Sequence, residues 1–253
     1  MRYQKMGDNM LHTAFIFQDH MILQRDKRAC IWGTADAEAE VSVSIQGRIF
    51  ETVADKEGNW KVFLGPLQTS FSEEMSVVSK EDRIVFHDVQ IGEVWVAGGQ
   101  SNMEFYMRYD SDFDGEKEQC HNNNIRFFDY PEVSYVGQID EADYGKNYGF
   151  WRKTESEQLE WFSAVGYYFA KDLQEKYHIP VGIIGCNWGG TLACAWMSRE
   201  AVIEGGGQVY LDEYNEAVRS LDLQEYEEKF RTNPAAWRVD LLNEPMSDMV
   251  MRG

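Results

Sequence analysis

Apolar and polar residues alternate in short runs over the first third of the chain. Val41, Val43 and Ile45 alternate with Ser42, Ser44 and Gln46, the period of two that marks a strand with one buried face. Similar runs recur at Thr13–Phe17, Met21–Gln24, Ala29–Trp32, Trp60–Leu64, Met75–Val78 and Arg83–Val89. Turn-forming stretches such as 37–40 and 55–59 separate them. Short strands at this spacing predict a small β-sandwich over residues 11–90.

From residue 91 the period changes. An apolar run, Val94 to Ala97, ends in Gly98-Gly99, and Asn124 to Tyr130 reads as a buried strand stopped by Pro131. Thr154-Glu155-Ser156-Glu157 has the form of a capping box, and Leu159, Phe162, Val165, Phe169 and Leu173 follow at helical spacing. That helix is expected to close before Pro180. Val181 to Asn187 is a second short apolar strand, followed by Trp188-Gly189-Gly190-Thr191 and a helix running to Ile203. Strands alternating with helices predict an α/β core with a parallel sheet over 91–204. Gly205-Gly206-Gly207 breaks the pattern, and 205–253 reads as a helical segment that trails off without closing a domain. A long irregular stretch, 131–153, holds Tyr135, Tyr144, Tyr148, Phe150 and Trp151, which either wall a substrate cleft or pack onto the domain.

Charge narrows the function classes. With 43 acidic against 24 basic residues the net charge is −19, which repels phosphate backbones and anionic head groups, so neither nucleic acid nor membrane is an expected partner. Eight Trp, 13 Tyr and 14 Phe offer faces suited to sugar rings, although filling the core accounts for most such residues. Cys30, Cys120, Cys186 and Cys194 form no CxxC pair and no metal-like spacing, so reduced thiols, no metal and no cofactor are expected. The polar N-terminus has no apolar h-region, and no 18-residue apolar run occurs, so the chain as written reads as cytoplasmic.

The candidate chemistry lies where the two apolar strands end. Gly98 and Gly99 let the chain reverse sharply and present Ser101 at the carboxyl end of a strand, where open α/β sheets place their ligands. A glycine-rich turn with an incidental serine has the same pattern. A right-handed crossover brings the end of the second strand to the same sheet edge, so the Gly189 and Gly190 amides are candidates for an oxyanion hole beside Ser101. Gln100 and Asn102 read as supports of the turn, and Thr191 as a helix cap. His12 and His20 read as surface or hydrogen-bonded groups, and His178 as a helix-terminal charge.

These stretches resemble the sialate O-acetylesterase family of SGNH-type carbohydrate esterases. Gly99-Gln100-Ser101-Asn102-Met103, with its lead-in Asp88 to Trp95, is similar to that family's nucleophile block. Ile179 to Ile184, Trp188-Gly189-Gly190-Thr191 and Ala195-Trp196-Met197-Ser198 are similar to its second block. His20 to Arg25, Ile31-Trp32-Gly33 and Gly58-Asn59-Trp60 resemble its N-terminal β-domain. The resemblance spans roughly residues 11–204. It implies an SGNH-like three-layer core and metal-free hydrolysis of acetyl esters on sugars, with Ser101 as nucleophile and an acetylated glycan as substrate. The oxyanion would be held by the amides of Ser101 and of Gly189 or Gly190.

The family's Gln-Gly-Glu-Ser and Asp-x-x-His blocks are not found in these 253 residues, so the resemblance names no base. His121, in an Asn-rich loop, is a weak substitute. With about three core strands, the chain is expected to be the N-terminal part of an esterase, impaired alone and able to self-associate through an incomplete sheet. A non-catalytic glycan-binding module and an inactive fragment are the alternatives.

Overall fold

The computed structural model describes residues 11–131 and 148–219. Eight strands occupy residues 11–99: β1 (His12–Thr13), β2 (Ile22–Gln24), β3 (Cys30–Thr34), β4 (Glu40–Ile45), β5 (Arg48–Val53), β6 (Asn59–Phe63), β7 (Ser70–Ser79) and β8 (Asp82–Gly99). Further along lie β9 (Asn122–Asp129), β10 (Trp151–Thr154) and β11 (Val181–Asn187). One sheet runs β1-β3-β6; the larger runs β10-β9-β11-β8-β7-β4-β5, with β2 also paired to β8. Five helices complete the description: α1 (Ser101–Glu104), α2 (Phe113–Gln119), α3 (Ala164–Tyr177), α4 (Arg199–Glu204) and α5 (Gln208–Val218). None of them is long and apolar enough to cross a membrane.

The alternation on β4 is realised: Val41, Val43 and Ile45 are buried and Ser42 and Ser44 are half-buried. Gln46 and Gly47 both have positive φ, 50° and 66°, as a two-residue hairpin requires, and they return the chain as β5. The hydrophobic pattern gave no sign of β5, because it is an edge strand with no buried residue.

β8 is the spine of the larger sheet. Its first part pairs antiparallel with β7, in a register running from Ser79↔Asp82 to Ser70↔Ile91. Its middle pairs parallel with β2, from Ile22↔Gln90 to Gln24↔Gly92. The boundary placed at 90/91 therefore falls inside a continuous strand. The core explains why: the sandwich residues Ile31, Val43, Trp60 and Met75 form one apolar cluster with Phe128 of β9 and Trp151 of β10. On β9 the intervening residues, Ile125 and Phe127, face a second cluster with Phe162, Tyr167 and Ala170. Both faces of β9 are thus buried, in keeping with the buried strand expected from Asn124 to Tyr130, and β9 pairs parallel with β11 in register Ile125↔Val181. At the other flank of β11 the backbones come close: Glu93 N–H donates to the Pro180 carbonyl at 2.9 Å, and a Cβ on Gly92 would lie 2.0 Å from that oxygen.

The helical expectations need correction. Thr154 does not start a helix; it ends β10, and its hydroxyl donates to the Ile125 carbonyl at 2.7 Å. Residues 159–161 form a 3-10 turn, and α3 starts only at Ala164, where the Ser163 hydroxyl accepts from Gly166 N–H at 3.1 Å. The buried face of α3 is Ala164, Gly166, Tyr167 and Ala170, whereas Val165 and Phe169 are 51% and 41% exposed. Small residues let the helix approach the sheet closely, an advantage that a scan for large apolar residues overlooks. The helix does close before Pro180, through His178 at φ 54°. The helix expected up to Ile203 is broken: residues 193–196 form a 3-10 turn, Met197 is extended, and Ser198 caps α4. Most of the stretch 131–153, with Tyr135 and Tyr144, and everything beyond 219 lie outside the described residues.

Contacts divide the chain into two compact units. The first takes residues 11–98, 103–130 and 148–186, and the second takes 99–102, 131 and 187–219.

Within the first unit, Arg126 is almost wholly buried, with its side chain 1% exposed. Its Nη1 donates to the carbonyls of His20 (2.7 Å) and Asp88 (2.6 Å), its Nη2 to Asp88 Oδ1 (2.9 Å), and its Nε to the Asn123 carbonyl (3.1 Å). Asp88 Oδ2 also meets His20 Nδ1 and Lys153 Nζ, each at 2.7 Å. Burial disfavours the Asp88 carboxylate, but the hydrogen bonds from Lys153, Arg126 and His20 outweigh it and hold the group well below its ordinary value of 3.8. Asp88→Ala is expected to cost about 3–5 kcal/mol, because it strands a buried guanidinium. Because the folded pKa is depressed, this contribution is complete above the unfolded carboxyl's pKa and is lost as pH falls through the folded value. Urea titrations of both proteins should therefore show a gap that is widest near neutrality and narrows in acid. A gap that does not change with pH would rule out the ion pair as its cause.

Candidate functional site

Ser101 is the first residue of α1, two positions past the end of β8, and its side chain is exposed. Gly99 takes φ 151° to make the turn. At the end of the neighbouring strand β11, Trp188-Gly189-Gly190-Thr191 forms a second turn, with Gly190 at φ 83°. Two hydrogen bonds tie these turns together. Trp188 N–H donates to the Gly99 carbonyl at 3.1 Å, and Gln100 Nε2 donates to the Thr191 carbonyl at 2.7 Å. Gln100 therefore holds the serine turn against the glycine turn, while Asn102 is exposed.

Thr191 has a different task from the helix cap expected of it. It is 5% exposed; its hydroxyl donates to the Trp188 carbonyl at 2.8 Å and accepts from Trp196 Nε1 at 2.8 Å. One threonine thus closes its own turn, anchors Gln100 through its carbonyl, and fixes an indole. The sequence signal for this was weak, since only the pairing of two distant glycine turns makes the threonine central.

Among the described residues, the unit that carries both turns, 99–102, 131 and 187–219, contains no histidine. His20 is engaged with Asp88, His87 lies 3.4 Å from Glu74, His178 ends α3, and His121 is exposed. The structure therefore brings Ser101, Gln100 and the Gly189-Gly190 turn together, and no histidine joins them among the described residues of that unit. Among the described residues, no group of three His, Cys, Asp or Glu side chains could hold a metal ion. Of the aromatics from 131–153 that are described, Trp151 is core: it is 5% exposed and its Nε1 donates to the Ile16 carbonyl at 2.9 Å. Phe150 packs under the Arg152 guanidinium, whose carbon lies 4.1 Å from the ring centre.

The fold is similar to that of a carbohydrate acetylesterase. A crystal structure of a carbohydrate acetylesterase from Xanthomonas citri matches it with a TM-score of 0.68 and 30% identity, covering 76% of this chain and 43% of that one. More particularly, the similarity is to sialate O-acetylesterases, as the motif blocks implied. The rat protein is 28% identical over 210 residues (75% of this chain, 38% of that protein), and the human protein is 28% identical over 219 residues (78% and 40%). The chain thus spans about two fifths of the length of the curated relatives it matches. No protein-family model matches the chain.

At Gly190 a Cβ would meet nothing within 4 Å, so glycine is needed there for its backbone angle and not for space. Gly190→Ala should cost about 1–2 kcal/mol, the usual penalty of a left-handed L-residue, measured by urea unfolding. An unchanged midpoint would show that the turn adapts at no cost.

Proposed function

We propose that this chain carries the nucleophile and oxyanion turn of a carbohydrate O-acetylesterase. The observation that supports it is the pair of hydrogen bonds joining the Ser101 turn to the Gly189-Gly190 turn at the ends of adjacent strands. In this reading the Ser101 Oγ attacks the acetyl carbonyl carbon and the sugar hydroxyl leaves. The Ser101 amide, with that of Gly189 or Gly190, donates to the oxygen as it gains negative charge. Each such donor is worth about 2.7–4 kcal/mol of barrier where one has been removed.

A serine hydroxyl is a weak nucleophile at neutral pH and needs a group to take its proton. Among the described residues the unit that holds Ser101 has no histidine, so the reading assigns the base to a group outside them. Where that base is not in place, turnover is expected to be slow, because general-base assistance contributes roughly 10²–10⁴-fold.

Hydrolysis of a chromogenic acetate ester, and labelling by a fluorophosphonate, test the assignment. The wild-type chain is expected to label at Ser101 and to hydrolyse the ester above background, and Ser101→Ala to do neither. Equal rates and equal labelling would remove Ser101 from the chemistry. Saturable binding of an acetylated sugar by a chain that never labels would instead support the glycan-binding reading.

A further inference from the structure

Trp196 is the last residue of a 3-10 turn, 193–196, five positions beyond Thr191, and it remains 44% exposed. A half-exposed indole ordinarily gives its single N–H to water. Here that N–H is committed to the Thr191 hydroxyl at 2.8 Å, so the ring is held in place and presents carbon surface to solvent. The same threonine takes Gln100 Nε2 on its carbonyl, and Gln100 immediately precedes Ser101. Two hydrogen bonds through one buried residue therefore connect an exposed aromatic face to the serine turn. Leu192 and Met197, 44% and 42% exposed, extend the apolar surface beside it.

The structural alternative is that Trp196 merely covers the turn. For that purpose the face would be buried, as it is for Trp60 and Trp151, which are 3% and 5% exposed. An indole that is both tethered and exposed suits a ligand with a flat apolar side and polar rim. A pyranose has this form: its axial C–H bonds make an apolar face that packs on aromatic rings, while its hydroxyls stay hydrated.

We propose that Trp196 is the platform on which the sugar ring of the acetylated substrate stacks, positioned by Thr191 relative to Ser101. This deepens the esterase reading and rests on it. Trp196 is a positioning residue in this account and takes no part in the bond changes.

The test uses the 253-residue chain. In the Ser101→Ala background, where the probe is not consumed, calorimetry or ligand-observed NMR measures binding of an O-acetylated sialic acid methyl glycoside and of an O-acetylated xyloside. Ethyl acetate serves as an acetate without a sugar. Adding Trp196→Ala is expected to weaken the better-bound sugar about ten-fold, the size of a lost aromatic contact, and to leave the ethyl acetate response unchanged. Trp196→Phe keeps a ring and should fall between the two. It also serves if the alanine variant does not fold, in which case a loss of about three-fold is expected. Fluorophosphonate labelling in chains that retain Ser101 reports the esterase reading separately and should change little with Trp196.

Unaltered sugar binding in Trp196→Phe and Trp196→Ala overturns the platform while leaving the esterase reading intact. Equal loss of sugar binding, ethyl acetate response and labelling overturns it in favour of a purely structural indole. Failure of the unsubstituted chain to bind either sugar also overturns it. Failure of the wild-type chain to label counts against the esterase reading alone.

Discussion

A guanidinium buried as completely as that of Arg126 has no route to water, so the strands around it are placed by the need to meet its donors. Its partners come from the approach to β2, from β8 and from the start of β9, and Lys153 of β10 joins through the shared carboxylate of Asp88. Those elements belong to both of the regions that the sequence suggests, the early sandwich and the later α/β core. Asp88 itself takes φ 53°, an uncommon angle for a residue with a side chain, and its carbonyl and carboxylate both face the same arginine. The polar cluster and the apolar cluster that includes Phe128 and Trp151 therefore enforce the same arrangement by different means. Apolar burial is tolerant of small shifts, whereas a buried charge with named partners is not.

The legible part of this fold is the part governed by periodicity. Val41, Val43 and Ile45 announced β4, and the stretch through Ile125, Phe127 and Phe128 announced a buried strand. Where tertiary pairing competes with a local signal, the local signal misleads. Thr154 and Glu157 satisfy the composition of a capping box, yet the threonine hydroxyl is taken by the Ile125 carbonyl across the sheet. The true cap, Ser163, has no glutamate three residues later and so carries no such mark. On α3, three of the four buried residues are small, and the large ones that draw the eye, Val165 and Phe169, are exposed.

The candidate site shows the same division. Two strands that each end in glycines point from sequence to a pair of turns at one sheet edge, and the adjacency of β8 and β11 agrees with it. What holds the turns together is a contact between residues 100 and 191, and no local pattern encodes a partner at that distance. The role of Thr191 is likewise invisible until the fold is known, because a threonine after two glycines looks like a cap. The similarity to carbohydrate esterases covers both turns but leaves their joining to geometry.

β8 has one further consequence. Its eighteen residues form one strand, interrupted by the positive φ of Asp88, and its pairing with β7 shifts register twice. Between these irregularities side chains alternate, so inserting or deleting one residue would invert the positions that follow it. The strand thus works as a ruler whose length is fixed to the residue. An engineer wishing to graft this serine turn onto another β-domain would have to transplant the whole strand, with Asp88 and its arginine included.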